Sequence, residues 1–286
     1  MILAFPFLTS AIDPDARNFI NNTGATDRAA INYFVKGIKR LGLWDDMACW
    51  PLRSAQNAGT GSTAYSLGGL GTYNGTLVNG PTWGSDGITF ATNATTGRNS
   101  LILVDWTGGY DIRSDSTVFV VSNIGEVTGA GSNFDQWPFG SGATANGRYG
   151  GVNTRNDNTA GGANIFGPTN IGNANYASLF PQTISANWRT WATQRENNLV
   201  GNANAQGNKL WRDATQIANG SNAAQVGYES IPNASEVLNI GNARGNTSVA
   251  IVGEISFAAV FSDWTANISE VRSLYKSTLG QGLGLP

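Results

Sequence analysis

From about Trp50 onward glycine interrupts the chain every few residues, and the apolar segments between the breaks are too short to be helices. There are 37 glycines in 286 residues, and many stand beside Asn, Asp or Pro, the composition of tight turns. Thr117-Val118-Phe119-Val120-Val121 is a β-branched run bounded by Asp115 and by Asn123-Ile124-Gly125, as for a central strand. Leu77 and Val78 stop at Asn79-Gly80-Pro81, and Ser85-Asp86-Gly87 turns the chain into Ile88 and Phe90. Trp188, Thr190 and Ala192 alternate with Arg189 and Trp191, and Lys209-Leu210-Trp211-Arg212 and Val237-Leu238-Asn239-Ile240-Gly241 are further short strands. Gly253 to Phe261 places Ile255, Phe257, Ala259 and Phe261 on one face. Its other face is almost as apolar, so a covering layer is expected on both sides. Residues 129 to 175 carry little alternation and read as long turns or hairpin tips. Many short strands without intervening long helices predict a mainly β fold, two packed antiparallel sheets in a jelly-roll sandwich.

Only residues 13 to 44 have a sustained helical period. Asp13-Pro14 sets a capping oxygen before a proline at the first helical position, with Ala16, Phe19 and Ile20 on one face. A second helix, capped by Thr26 or Asp27, carries Ile31, Phe34, Val35, Ile38 and Leu41 at spacings of three and four and stops at Gly42. Near the other end, Asn267-Ile268-Ser269-Glu270 forms a capping box before Val271, Leu274 and Tyr275, so a short helix follows the last strand and stops at Gly280. The expected organisation is an apolar arm and helical hairpin over 1–48 and a sandwich over 49–286.

Apolar residues make up 41% and charged residues 13%, with a net charge of −2. With no basic run, there is no source for the phosphate attraction that dominates nucleic-acid affinity. Cys49 is the only cysteine and histidine is absent, which removes an intrachain disulfide, His-ligated metals and the Ser-His-Asp and Cys-His arrangements. Met1 to Leu8 is apolar but interrupted by Pro6, without a basic start, and far short of the roughly 20 residues that cross a bilayer. It reads as an extended arm that packs on its own domain or docks on a partner.

Taken in order, Trp50-Pro51-Leu52, Tyr73 to Phe90, Thr117 to Val121, Leu210-Trp211-Arg212-Asp213, Leu238 to Asn242 and Gly253 through Tyr275 resemble the strands and closing helix of concanavalin A-like (laminin G-like) lectin and glucanase domains. Ala214 stands where such domains often have the glycine of an Asp-Gly turn. The helical segment from Asp13 to Trp44 followed by Trp50-Pro51-Leu52 resembles virion structural proteins of tailed bacteriophages.

The resemblance implies three chemistries to look for. Glucanases of this fold use a Glu-x-Asp-x-x-Glu pattern, because retaining hydrolysis needs two carboxyl groups about 5 Å apart. No Glu in this chain is followed two residues later by Asp, so no catalytic residues are assigned. Laminin G-like domains often hold calcium at a loop rim. Asp105, Asp111, Asp115 and Asp157 are the candidates, but they form no acidic cluster, so no cofactor is expected beyond that structural calcium. Sugar recognition needs an aromatic platform beside amide and carboxylate groups. Trp137, Arg148, Tyr149, Asn153, Asn156 and Asp157 supply these within one region.

The leading expectation is a non-enzymatic phage virion component, located in the particle as a capsid-surface, fibre or tail part. It would be present in multiple copies or as a homo-oligomer among other virion proteins, and could touch host-surface glycan. Phe5, Phe7, Phe19, Phe34 and Leu41 would dock it on its neighbours. Neither nucleic-acid binding nor membrane insertion is expected. The alternatives are a stand-alone carbohydrate-binding lectin and a glycoside hydrolase.

Overall fold

A computed structural model describes residues 11–90, 100–106, 116–124, 134–141, 150–157, 162–166, 187–195, 208–220, 237–242, 251–263 and 265–286. The chain begins with α1 (Pro14–Thr23) and α2 (Arg28–Arg40). Asp13 caps α1 by accepting from the Asp15 N–H, with Pro14 at the first position, and Gly24 closes it at a φ of 73°. Asp27 precedes α2 without a side-chain cap bond. Its carboxylate instead accepts from Gln56 Nε2 at 2.9 Å, tying the helix start to the chain after the first strand.

The strands are β1 (Met47–Pro51), β2 (Thr63–Ala64), β3 (Gly75–Val78), β4 (Thr82–Trp83), β5 (Ile88–Phe90), β6 (Leu101–Asp105), β7 (Ser116–Ile124) and β8 (Phe134–Ser141). They continue as β9 (Gly150–Asp157), β10 (Gly162–Phe166), β11 (Arg189–Arg195), β12 (Asn208–Arg212), β13 (Thr215–Gly220), β14 (Val237–Ile240) and β15 (Gly253–Phe261). The last helix, α3 (Ile268–Ser277), is capped by Asn267, whose side chain accepts from the N–H groups of Ser269 and Glu270. It ends at Thr278, two residues before the expected Gly280.

The strands form two antiparallel sheets, one ordered β13-β12-β11-β7-β15-β5-β4 with β1 also paired to β15, the other β10-β9-β8-β14-β6-β3-β2. This is the two-layer sandwich the sequence predicts. Between the sheets lie Trp50, Ile88, Phe90, Ile102, Val104, Trp106, Val120, Phe139, Leu238, Ile240 and Ile255.

A second core lies on the outer face of the first sheet. Phe119 and Val121 from β7 and Phe257, Ala259 and Phe261 from β15 meet Phe19, Ile31, Phe34, Val35 and Ile38 of the hairpin, Val271 and Tyr275 of α3, and Leu279, Leu283 and Leu285 beyond it. Phe34 meets Phe257 edge to face, with ring centroids 5.5 Å apart. The helices also approach one another closely, since a Cβ on Gly37 would collide with the Leu274 side chain.

Two sequence expectations change. Ile255 does not share a face with Phe257, because a register shift between Ile255 and Phe257 inserts Ser256 as an extra residue. Ile255 therefore points between the sheets while Phe257 points at the helices. The span read as turns contains β8, β9 and β10. Those strands are rich in Gly, Asn and Thr, so the apolar period that marks a half-buried strand is weak.

Candidate functional site

The two outer faces of the sandwich are covered differently. On the first sheet the helices and the chain beyond α3 form a roof. The second sheet's outer face carries a cross-strand row fixed by register. Gly140 of β8 lies opposite Asn239 of β14, Asn239 opposite Leu103 of β6, and Leu103 opposite Thr76 of β3. Ile102, Val104, Leu238 and Ile240 alternate with these residues and face the inter-sheet core. Gly140 raises no side chain beside Asn239, and on the other side Leu103 is 39% exposed. Asn239 itself is 1% exposed, and its Oδ1 has no hydrogen-bond partner. A buried amide oxygen without a donor is costly, on the order of 1–3 kcal/mol.

The sequence-expected sugar residues fall partly on this sheet. Trp137 lies on β8 and Asn153, Asn156 and Asp157 on β9, so they belong to strands where a loop was expected. β8 pairs with both β9 and β14, which brings them to the same sheet as Asn239. Arg148 and Tyr149 lie outside the described residues. Of the calcium candidates, Asp105 ends β6 and is exposed, and Asp111 and Asp115 lie outside the described residues. Among the described residues no group of three or more His, Cys, Asp or Glu could hold a metal ion.

The docking residues need correction. Phe19 is 5% and Phe34 0% exposed, and both sit in the core between the hairpin and the first sheet with Leu41 packed against it. Their apolar surface is already covered by this chain. Phe5 and Phe7 lie outside the described residues.

Sequence reasoning missed Asn239 and Leu103 because neither stands out locally. Leu238-Asn239-Ile240 alternates as any half-buried strand does, and only the pairing of β14 with β6 and β8 brings the amide beside an exposed leucine and a glycine.

No protein-family model and no curated protein sequence matches this chain. Solved structures do. Trypanosoma rangeli sialidase is similar at 12% identity over 88% of this chain and 39% of its own, with a TM-score of 0.52. The same sialidase in complex with sialic acid is 13% identical over 87% of this chain and 39% of that one, also with a TM-score of 0.52. The CBM40 of Ruminococcus gnavus IT-sialidase is 16% identical over 56% of this chain and 83% of its own, with a TM-score of 0.39. The chain thus spans about two-fifths of the sialidase chains it matches over most of its length. At such identity the likeness is one of fold.

These matches correct the expectation that the chain is no enzyme. Solved structures that share its fold over most of its length are themselves sialidases, one of them captured as a covalent intermediate with 2,3-difluorosialic acid. The missing Glu-x-Asp spacing speaks only to the glucanase route. Sialidases with a tyrosine nucleophile do not use that carboxylate pair.

Proposed function

We propose that this chain is a carbohydrate-binding, lectin-like sandwich that recognises glycan on the outer face of its second sheet. The observation that carries this reading is Asn239, a buried amide whose Oδ1 lacks a donor, set between Gly140 and the exposed Leu103. Leu103 offers apolar contact to a sugar's C–H face, and the Asn239 amide beside it would take a hydrogen bond from a hydroxyl. The fold's likeness to a sialidase solved with sialic acid supports the ligand class.

The test is a glycan array carrying sialylated and neutral glycans, followed by titration of the best ligand. Asn239→Ala and Leu103→Ser should each weaken binding about tenfold, equivalent to about 1.4 kcal/mol. Undiminished binding by both variants removes the site.

A role as a component of a phage particle, present in multiple copies beside other virion proteins, is a second proposal. It is supported by the helical hairpin that leads directly into β1, the arrangement on which that resemblance rests. Mass spectrometry of purified particles should then find the chain at stoichiometric copy number, and its absence would end this reading.

A further inference from the structure

The helix-side face of the first sheet carries a polar row beside the contact of α3. Tyr275 of α3 reaches β15 at Ser256, where the two hydroxyl groups lie 2.8 Å apart. The row crosses the face one step beyond that contact. Asn123 of β7 is the register partner of Glu254 of β15, Glu254 of Thr89 of β5, and Thr89 of Thr82 of β4. Trp188 lies one position before the Arg189–Ser122 pair that opens the β11–β7 ladder, and it packs against the helix-side core. Neighbours in such a row have Cβ atoms about 5 Å apart, so four strands and the residue before β11 set an amide, a carboxylate, two hydroxyls and an indole side by side.

These side chains are only partly taken up by the fold. Trp188, Asn123, Glu254 and Thr89 are all half-buried and Thr82 is exposed. Asn123 Oδ1 is buried without a hydrogen-bond partner. Glu254 accepts one hydrogen bond, from Thr89 Oγ1 at 3.3 Å, and a carboxylate has room for about four. Among the described residues, acceptor capacity therefore exceeds the donors at hand, next to an aromatic face.

We infer that the row Trp188–Asn123–Glu254–Thr89 is a second glycan-contacting site, on the opposite sheet from Asn239. A pyranose suits it chemically. Vicinal hydroxyls donate to Glu254 and Asn123, while the C–H face of the ring lies on the indole. One carboxylate among neutral amide and hydroxyl groups fits a polyol better than a cation, which would call for several charges. Two sites on opposite sheets let one molecule bridge two glycans and gain avidity with no new contact. The inference rests on the glycan-binding reading above.

The experiment uses the full chain and NMR, following the Trp188 indole N–H and the Leu103 methyl groups while sialic acid, galactose, N-acetylglucosamine and choline are titrated separately. At least one sugar should move both reporters. Asn239→Ala should abolish the response at Leu103 and leave that at Trp188. Glu254→Gln should weaken the Trp188 response at least tenfold and leave that at Leu103. Trp188→Phe, which keeps a ring, should retain the Asn123 side-chain shift. Movement at Leu103 with none at Trp188 overturns the second site alone, as does a Trp188 that answers choline in preference to every sugar. No response at either reporter removes the glycan reading itself.

Discussion

The two sheets of this sandwich are built from similar strands but meet different surroundings. β7 and β15 are apolar on both faces, with Val118, Val120, Ala258 and Val260 toward the other sheet and Phe119, Val121, Phe257 and Phe261 toward the helices. β6 and β14 are apolar on one face only, and their other face carries Leu103, Asp105 and Asn239. A strand apolar on both sides demands two covers, and here the hairpin and α3 provide the second. A strand apolar on one side needs only one apolar cover, and its other face carries polar groups. The difference between the sheets thus lies in how many apolar faces each must cover.

The comparison is broken most directly by core truncation on one sheet and surface change on the other. Phe34→Ala should destabilise by about 3–5 kcal/mol, whereas Leu103→Ser should shift stability by no more than about 0.5 kcal/mol, both read by urea unfolding. Equal effects would mean that the helices do not form a structural layer.

Tyr275→Phe probes the edge of the roof. It leaves Ser256 Oγ buried without its partner and should cost about 1–3 kcal/mol. Burial raises the Tyr275 hydroxyl well above its ordinary pKa, against opposing effects of Ser256 and Arg53. The phenol therefore stays protonated and its hydrogen bond holds through the alkaline range.

At the far edge of the same sheet, Asp213 and Ala214 turn β12 into β13 with φ angles of 49° and 66°. Two consecutive positive φ values define a type I′ turn, which favours glycine at the second position. Ala214→Gly should raise stability by about 1 kcal/mol, seen as a higher denaturation midpoint. A lower midpoint would show that the alanine methyl packs usefully there.

The smallest effect is expected at the clip between α1 and α2. Lys39 Nζ bonds both Asp13 and Asp15, at 2.8 and 2.6 Å. Burial alone would raise the Asp13 carboxyl, but the Lys39 hydrogen bond, the backbone N–H groups of Asp15 and Ala16 and the Lys39 charge outweigh it and lower the pKa below 3.8. For Lys39, burial pulls the other way, and its bonds to Asp13 and Asp15 raise it above 10.5. The Asp13 contribution is present above pH 3.8 and is lost as pH falls through the lower folded value. The Lys39 contribution is present below pH 10.5 and is lost as pH rises through the higher folded value. Lys39→Met should cost about 0.5–1 kcal/mol between those limits. In thermal melts across pH, the gap between variant and parent should close at both ends.

Legibility in the sequence followed local order. The apolar runs Thr117–Val121 and Gly253–Phe261, the Asp13-Pro14 start and the Asn267 cap were readable because each depends on neighbours a few residues away. The strands β8 to β10 were not, since their Gly, Asn and Thr give little period. Nor were the turnover at Ser256 or the burial of Phe19 and Phe34 beneath this chain's own layers. An exposed docking face and an interior one have the same helical spacing.

Short-range chemistry by itself therefore settled that the chain makes short antiparallel strands between turns, a helical hairpin before them and a capped helix after, because propensity, capping and alternation act over a few residues. Tertiary pairing alone decided which faces are covered and which amides are left without donors. Leu103, Gly140 and Asn239 come from three separate stretches of chain, and Asn123, Trp188 and Glu254 from three others. Only the register of long-range strand pairs puts the members of each set side by side.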